Sequence, residues 1–367
     1  MKQNNNLKAF LALVRAGLWE KDVELRKYGT TDSEEIMRLA EEQSVVGLVT
    51  AGLEHVTDAK VPQEWLLQFI GQSLQIEQQN TSMNRFIGEL MGKLRKADIY
   101  AVLVKGQGIA QCYEKPLWRA SGDVDLYLSD NNYQAAKEFL TPLASHVDSE
   151  EKNLLHMGMT INDWVVELHG TMYGEVSKRM NRGLDEVHQN IFNGGKVRSW
   201  DNNGVTVFLP SPDNDLLIVF THFLQHFFIE GVGLRQICDW CRLLWTYKSE
   251  IDLAVLERQI KKMGLMSEWR VFGTLAVQYI GMPETAIPMF GSSVQEFKER
   301  AEKALIRVMK KGNMGHNNDL SYRSRYTGMK YKVVAMWRRF IDFASLVPVF
   351  PIDAPKFFMG YLLEKAK

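Results

Sequence analysis

Asp123-Val124-Asp125 is the segment of this chain whose residue types point most directly to a chemistry. Val124, Leu126 and Leu128 alternate as they do in a strand that buries one face. The alternation sets Asp123 and Asp125 together on the opposite face, about 7 Å apart along the backbone. Two carboxylates so placed repel each other unless a cation lies between them. Hard oxygen donors of this kind suit Mg2+, which binds through one or two carboxylates plus substrate phosphates. The pair therefore predicts a metal-dependent phosphoryl or nucleotidyl transfer site.

Lys105-Gly106 and Glu167 extend the set. Lys105-Gly106 ends a predicted strand over 99–104 and precedes one or two predicted helical turns over 107–113. A glycine there lets the backbone approach a phosphate chain, the helix start presents N–H groups, and Lys105 adds a point charge. The same residues also suit a plain strand-to-helix turn. Gly106-Gln107-Gly108 is neither a Walker loop nor a full dinucleotide fingerprint. Glu167 lies in the apolar, strand-like run Trp164-Val165-Val166-Glu167-Leu168-His169. A third carboxylate on a neighbouring strand completes a two-metal site or deprotonates an attacking hydroxyl. The alternative is an exposed strand-face glutamate. His169 shares the face of Glu167 and reads as orienting a ligand or substrate, or as an ordinary polar strand residue.

The elements that must position these groups follow from periodicity. The first hundred residues read as helical. Thr31-Asp32-Ser33-Glu34-Glu35 resembles a helix start, and apolar residues recur at spacings of three and four over 64–95. Strands are expected over 99–104, from Asp123, over 158–169 and over 204–210, with a helix over 133–140. Helices dominate again from Asp213 to about Lys311. The tail 345–367 is apolar but broken by Pro348, Pro351 and Pro355, so it is not one helix. This order predicts an α+β fold: a small mixed sheet with flanking helices, embedded between N-terminal and C-terminal helical regions. The expected boundaries are 1–97, 98–212 and 213–367.

Composition sets the outer limits. The 367 residues are 46% hydrophobic and 24% charged, with 44 Lys+Arg against 44 Asp+Glu. That is an ordinary globular composition with no global signal for nucleic acid or membrane. The N-terminal apolar stretch, interrupted by Lys8 and Arg15, is too broken for a signal peptide and too short for a membrane span. Three cysteines (Cys112, Cys238, Cys241) are too few for a disulfide framework, which leads to the expectation of a cytoplasmic protein.

Taken together, the motifs resemble the polymerase-β-like nucleotidyltransferase superfamily, in which a strand, a glycine-containing turn and a helix precede an Asp-x-Asp strand. Within it, the chain is similar to the bacterial family of uncharacterised nucleotidyltransferases. The matching residues are Lys105-Gly106, Tyr113, Arg119, Asp123-Val124-Asp125-Leu126 and Glu167-Leu168-His169. His226, Leu234-Arg235 and Asp239 match that family's helical segment, so the resemblance covers roughly residues 35–245. Lys-Gly stands where most of the superfamily has Gly-Ser, and the interval from Gly106 to Asp123 is longer than in polymerase-like members. The resemblance implies that Asp123 and Asp125 hold Mg2+ bridged to a triphosphate. It implies that Glu167 shares a second ion or acts as base, and that Lys105, Gly106 and Arg119 contact phosphate. The implied reaction is attack of an acceptor hydroxyl on the α-phosphate of an NTP, most plausibly ATP, with loss of pyrophosphate. The acceptor is a small molecule, a protein or RNA. Alternatives are a γ-phosphotransferase and a catalytically silent nucleotide- or partner-binding module of the same fold.

Three other signals compete. His222-x-x-x-His226 followed by Cys238-x-x-Cys241 has zinc-like spacing, but both pairs lie in apolar helical patterns that favour packing over a metal. His226, Arg235 and Asp239 either line a cleft beside the sheet or form a buried ion pair that fixes helix packing, and packing is favoured. Between Lys303 and Arg339, ten basic residues interleaved with Tyr322, Tyr326, Tyr331 and Trp337 face one acid, Asp319. That segment suits contact with a polyanion, or a solvated helix face whose stems cover apolar surface.

Overall fold

The computed structural model describes residues 5–291 and 293–365. The expectations for Met1–Asn4 and for the last two residues of the tail fall outside that range. The N-terminal helices are α1 (Asn5–Trp19), α2 (Ser33–Glu42), α3 (Val46–Glu54) and the long α4 (Gln63–Lys96). Asp32 caps α2 as its position suggests, its carboxylate accepting from the Glu34 N–H at 2.9 Å. The α/β segment follows as β1 (Ala101–Val104), α5 (Gly106–Ala110), β2 (Asp123–Leu128), α6 (Asp130–Leu140), β3 (His146–Val147), β4 (His156–Ile161) and β5 (Trp164–His169). Next come α7 (Lys178–Phe192) and the separate two-stranded pair of β6 (Val197–Asn202) and β7 (Val205–Pro210). The C-terminal helices are α8 (Pro212–Ile229), α9 (Leu234–Thr246), α10 (Leu253–Met263), α11 (Met266–Leu275), α12 (Ser293–Lys311), α13 (Tyr322–Arg325), α14 (Gly328–Ala344) and α15 (Asp353–Lys365). The molecule is α+β, a small mixed sheet among helices. No helix of the described residues is long and apolar enough to cross a membrane.

The five-stranded sheet has the order β1-β2-β5-β4-β3. β2 runs antiparallel to β1 and parallel to β5, and β5 runs antiparallel to β4. Val124, Leu126, Leu128, Val166 and Leu168 share one apolar layer with Met83, Ile87, Leu90 and Leu94 of α4 and Tyr133, Ala136 and Leu140 of α6. That layer fixes register, because a one-residue slip would bury the carboxylates and expose the apolar set.

The apolar stretch 158–169 is not a single strand but the β4–β5 hairpin. Asn162 and Asp163 both take positive φ (48° and 67°), and Ile161 pairs with Trp164 across them. Asn and Asp tolerate this left-handed geometry, which a two-residue hairpin turn requires. β3, α7 and β6 are further elements beyond those the sequence pattern predicts.

Two close approaches tie the N-terminal helices to the sheet. At Gly17 a Cβ would lie 2.0 Å from the Leu48 carbonyl oxygen, and at Gly52 it would lie 2.1 Å from that of Leu13, so α1 and α3 meet backbone to backbone. Gly47 of α3 in turn abuts the Trp118 carbonyl, where a Cβ would sit 2.1 Å away. The chain just before Arg119 is thereby seated on α3. Gly17→Ala is expected to destabilise the fold by about 1–3 kcal/mol through overpacking. An unchanged urea midpoint would show that the crossing has slack.

The helical core is dominated by aromatic residues. Phe220 and Phe223 of α8, Trp240 of α9, and Trp269 and Phe272 of α11 are fully buried and meet mainly edge to face. α8 is buried along most of its length, with His222, Gln225 and His226 turned to a less enclosed side.

Candidate active site

The polar face of the sheet opens into a cleft of about 480 Å3, walled on the far side by α8 and α9. Register brings the acids together. Asp125 pairs with Glu167 across the parallel β2–β5 ladder, and Asp123 precedes Asp125 by two on the same face. Ligand oxygens of Asp123, Asp125 and Glu167 all lie within 4.8 Å of one another. Asp125 is 2% exposed.

Lys105 meets this cluster from the end of β1. Its backbone takes φ 57° and ψ −143°, a region that β-carbons disfavour, and Gly106 follows at φ 37°. The resulting turn aims the ammonium inward, 2.7 Å from Asp125 Oδ1 and 3.2 Å from His222 Nε2, to which it donates. α5 is seated by a buried amide chain. Gln107 donates to Asn80 Oδ1 (2.6 Å), and Asn80 of α4 donates to the carbonyls of Leu117 (2.7 Å) and Arg119 (2.8 Å).

His169 donates from Nε2 to Asp125 Oδ1 at 2.8 Å and lies 3.4 Å from Glu167 Oε2. His156, on β4 opposite His169, reaches the same Glu167 oxygen at 3.3 Å. On the helical wall, His222 and His226 share one face of α8, and Arg235 and Asp239 share one face of α9, each pair four residues apart. Nε2 of His226 lies 3.2 Å from that of His222, and its Nδ1 lies 3.0 Å from Glu230.

The electrostatics reflect crowding of like charge. The Asp125 carboxylate pushes the Asp123 carboxyl above the usual range, burial adds to the effect, and Lys105 opposes it. Burial works against the charge on Lys105, but Asp125, Glu167 and Asp123 hold its ammonium above the ordinary value. Burial likewise opposes ionisation of Glu167. Hydrogen bonds from His156 and His169, with the charge of Lys105, nevertheless hold it well below the carboxylate range. Burial disfavours protonated His169, yet its bonds to Asp125 and Glu167 raise it. Burial, then the charges of Lys105, His226 and His169, push His222 well down, which leaves a lone pair to accept from Lys105. Three carboxylates this close, one of them resisting ionisation for want of neutralising charge, match the donor set of a divalent hard cation.

Arg119, for which the resemblance implies a phosphate contact, is engaged with Asp239. Arg119 makes a bidentate pair with Asp239, Nε to Oδ1 at 2.8 Å and Nη2 to Oδ2 at 2.7 Å, and its Nη1 donates to Ser121 Oγ at 2.6 Å. Tyr113 adds a bond from its hydroxyl to Asp239 Oδ1 at 2.7 Å. All three nitrogens of Arg119 are thus engaged within the protein. Arg235 donates from Nη1 to the Ala120 carbonyl (2.8 Å), and its buried Nε has no protein partner. His226, Arg235 and Asp239 all line the cleft, and Asp239 does form a buried ion pair, with Arg119 rather than Arg235.

No cysteine lines this cleft. Cys238 and Cys241 are fully buried, burial drives their thiols up, and no metal-competent group of the described residues includes a sulfur. In the basic segment several cations are committed internally. Arg338 pairs with Asp319, Lys311 pairs with Asp342, and Arg307 and Arg339 donate to carbonyls of α8. Arg323, Arg325, Lys330 and Lys332 stay exposed. Sequence reasoning missed His156 altogether and noted His222 only for its spacing. Counting back from the Asn162-Asp163 turn would have placed His156 opposite His169.

No curated protein and no solved structure matches the chain. A family model described as uncharacterised nucleotidyltransferase matches residues 29–281, well over half of the sequence and the whole of this cleft's sheet and its α8–α9 wall. The chain therefore belongs to the family of uncharacterised nucleotidyltransferases.

Proposed function

We propose that this protein is a Mg2+-dependent nucleotidyltransferase of polymerase-β-like design, moving a nucleoside monophosphate from an NTP, most plausibly ATP, to an acceptor hydroxyl. The observation that carries the reading is the convergence of Asp123, Asp125 and Glu167 beside Lys105 in one cleft of a chain of this family. Residues 98–212 act as the catalytic core, and the helical regions 1–97 and 213–367 clasp it. Mg2+ held by Asp123, Asp125 and Glu167 supplies Lewis-acid stabilisation of charge on the phosphate oxygens. Lys105 and Gly106 bind the triphosphate on the opposite side. Arg235 lines the cleft and gives the protein one hydrogen bond, from Nη1, so it is better placed than Arg119 to add a second cation. Arg119 acts through Asp239, holding the loop before β2 against α9. In the reaction the acceptor hydroxyl oxygen bonds to the α-phosphorus and its proton passes to solvent water, while the bond from that phosphorus to the bridging β-phosphate oxygen breaks and pyrophosphate leaves with the electron pair. Two imidazoles on Oε2 favour ionised Glu167, which suits a ligand better than a proton acceptor. An acidic acceptor would find cations at the exposed Arg323, Arg325, Lys330 and Lys332.

A silent nucleotide-binding module draws on one observation: Asp125 Oδ1 is already met by both Lys105 and His169. Incubation of the full chain with each NTP, Mg2+ and candidate acceptors separates the readings. Nucleotidyl transfer gives pyrophosphate and an AMP-type adduct, and γ-transfer gives ADP. Nucleotide binding by calorimetry with neither product leaves the silent module.

A further inference from the structure

A second set of donors meets at Glu167. His156 and His169 face each other across the β4–β5 ladder, their rings stacked with centroids 4.8 Å apart and planes 28° apart. Nε2 of each addresses the same oxygen, Glu167 Oε2, at 3.3 Å and 3.4 Å. Ligand atoms of these three residues lie within 4.8 Å of one another. Donors about 2.1 Å from one ion, set at tetrahedral or right angles, lie about 3.0–3.4 Å from each other. The spacing around Oε2 is that of ligands gathered on a single cation. His156 is 28% exposed at its side chain, so this corner also opens to solvent.

We propose that His156, Glu167 and His169 form a transition-metal position, joined through the Glu167 carboxylate to the oxygen-only position of Asp123 and Asp125. It deepens the reading above, on which it rests only in sharing Glu167. Imidazole nitrogen suits Zn2+ and Co2+, and Mn2+ accepts it beside carboxylate oxygen, whereas Mg2+ favours oxygen and keeps its waters. The two positions therefore differ in kind: β2 contributes carboxylates alone, and β4 contributes nitrogen. A carboxylate has two oxygens and can serve both neighbours. His169 Nε2 now bonds Asp125 Oδ1 at 2.8 Å. An ion taken up by the imidazoles breaks that bond and releases Asp125 to the oxygen position, so occupancy of one position favours the other.

The test titrates the metal-free full chain with Mn2+ and with Co2+, in the absence and presence of saturating Mg2+. Bound Mn2+ should show imidazole-nitrogen modulation in pulsed electron paramagnetic resonance, and Mg2+ should leave that signal in place. His156→Ala should abolish the signal and weaken Co2+ binding about 10-fold or more. His156→Asp, which returns a donor, should recover part of the affinity. Circular dichroism melts confirm that each variant is folded. Mn2+ bound without a nitrogen signal, equal Co2+ affinity in wild type and His156→Ala, or no binding of either ion would overturn the proposal and leave the imidazoles as hydrogen-bond partners of Glu167. A persistent nitrogen signal without pyrophosphate release would instead sink the transferase reading and leave this metal position standing.

Discussion

Asp123→Asn is expected to abolish Mg2+-dependent pyrophosphate release, by about 10^3-fold or more, while raising the thermal midpoint of the metal-free protein. The loss follows from removing a charged donor where metal-held charge must be stabilised, an effect of several kcal/mol on the barrier. The gain follows from the neighbourhood. Asp125, and then burial, raise the Asp123 carboxyl above its unfolded value. A carboxyl raised on folding contributes stability that is full below its unfolded pKa and lost as pH rises through the folded one. At pH 7.5 the native state therefore carries the repulsion that asparagine removes, and near pH 4 the difference between the proteins shrinks. Activity assays paired with melts at the two pH values check both halves. A variant that keeps turnover, or that melts lower at neutral pH without metal, would contradict the assignment.

Asp239→Ala should be the most damaging change outside the carboxylate cluster. The Arg119–Asp239 pair is bidentate, both side chains are about 5% exposed, and Tyr113 leans on the same carboxylate. Removing one member strands the other charge in the interior, at a cost of about 3–5 kcal/mol. Arg119→Met combined with Asp239→Leu leaves no such charge and should recover most of the stability. Urea denaturation of the single and double variants measures the contrast. If Asp239→Ala unfolds at the wild-type midpoint, the pair is not what holds the loop before β2 on α9. If the folded double variant still binds NTP with wild-type affinity, Arg119 has no direct phosphate contact.

Much of the site could be read from the sequence because strand alternation is a strong constraint. Val124, Leu126 and Leu128 left Asp123 and Asp125 only one face to occupy, and Glu167 and His169 obeyed the same rule on β5. The α2 cap and the long α4 were equally local signals. What stayed hidden was non-local or conformational. Nothing near Asp239 announces that its partner is Arg119, more than a hundred residues away, because ion pairing is decided by packing and not by spacing. The hairpin was lost because continuous apolar character on both sides of Asn162-Asp163 outweighed a two-residue turn signal. His156 was lost with it. Lys105 was legible as a charge beside a glycine, but its own left-handed backbone, which aims it at Asp125, carries no signature in a residue type that rarely adopts it.

The parallel pairing of β2 with β5 also has a bearing on how the chain folds. β4 and β5 join through a tight turn, so their hairpin can form from neighbouring residues, whereas β5 must cross α6, β3 and β4 to find β2. Pairings this distant in sequence close late, once shorter contacts have reduced the entropy of the intervening chain. Asp125 and Glu167 are therefore far apart in the unfolded ensemble and meet only as the sheet is completed. Electrostatic repulsion among the acids is a barrier to that last docking step and not to the helices or the hairpin before it. A divalent ion that needs all three carboxylates finds them only in the finished sheet, so by mass action it draws the population toward the native state.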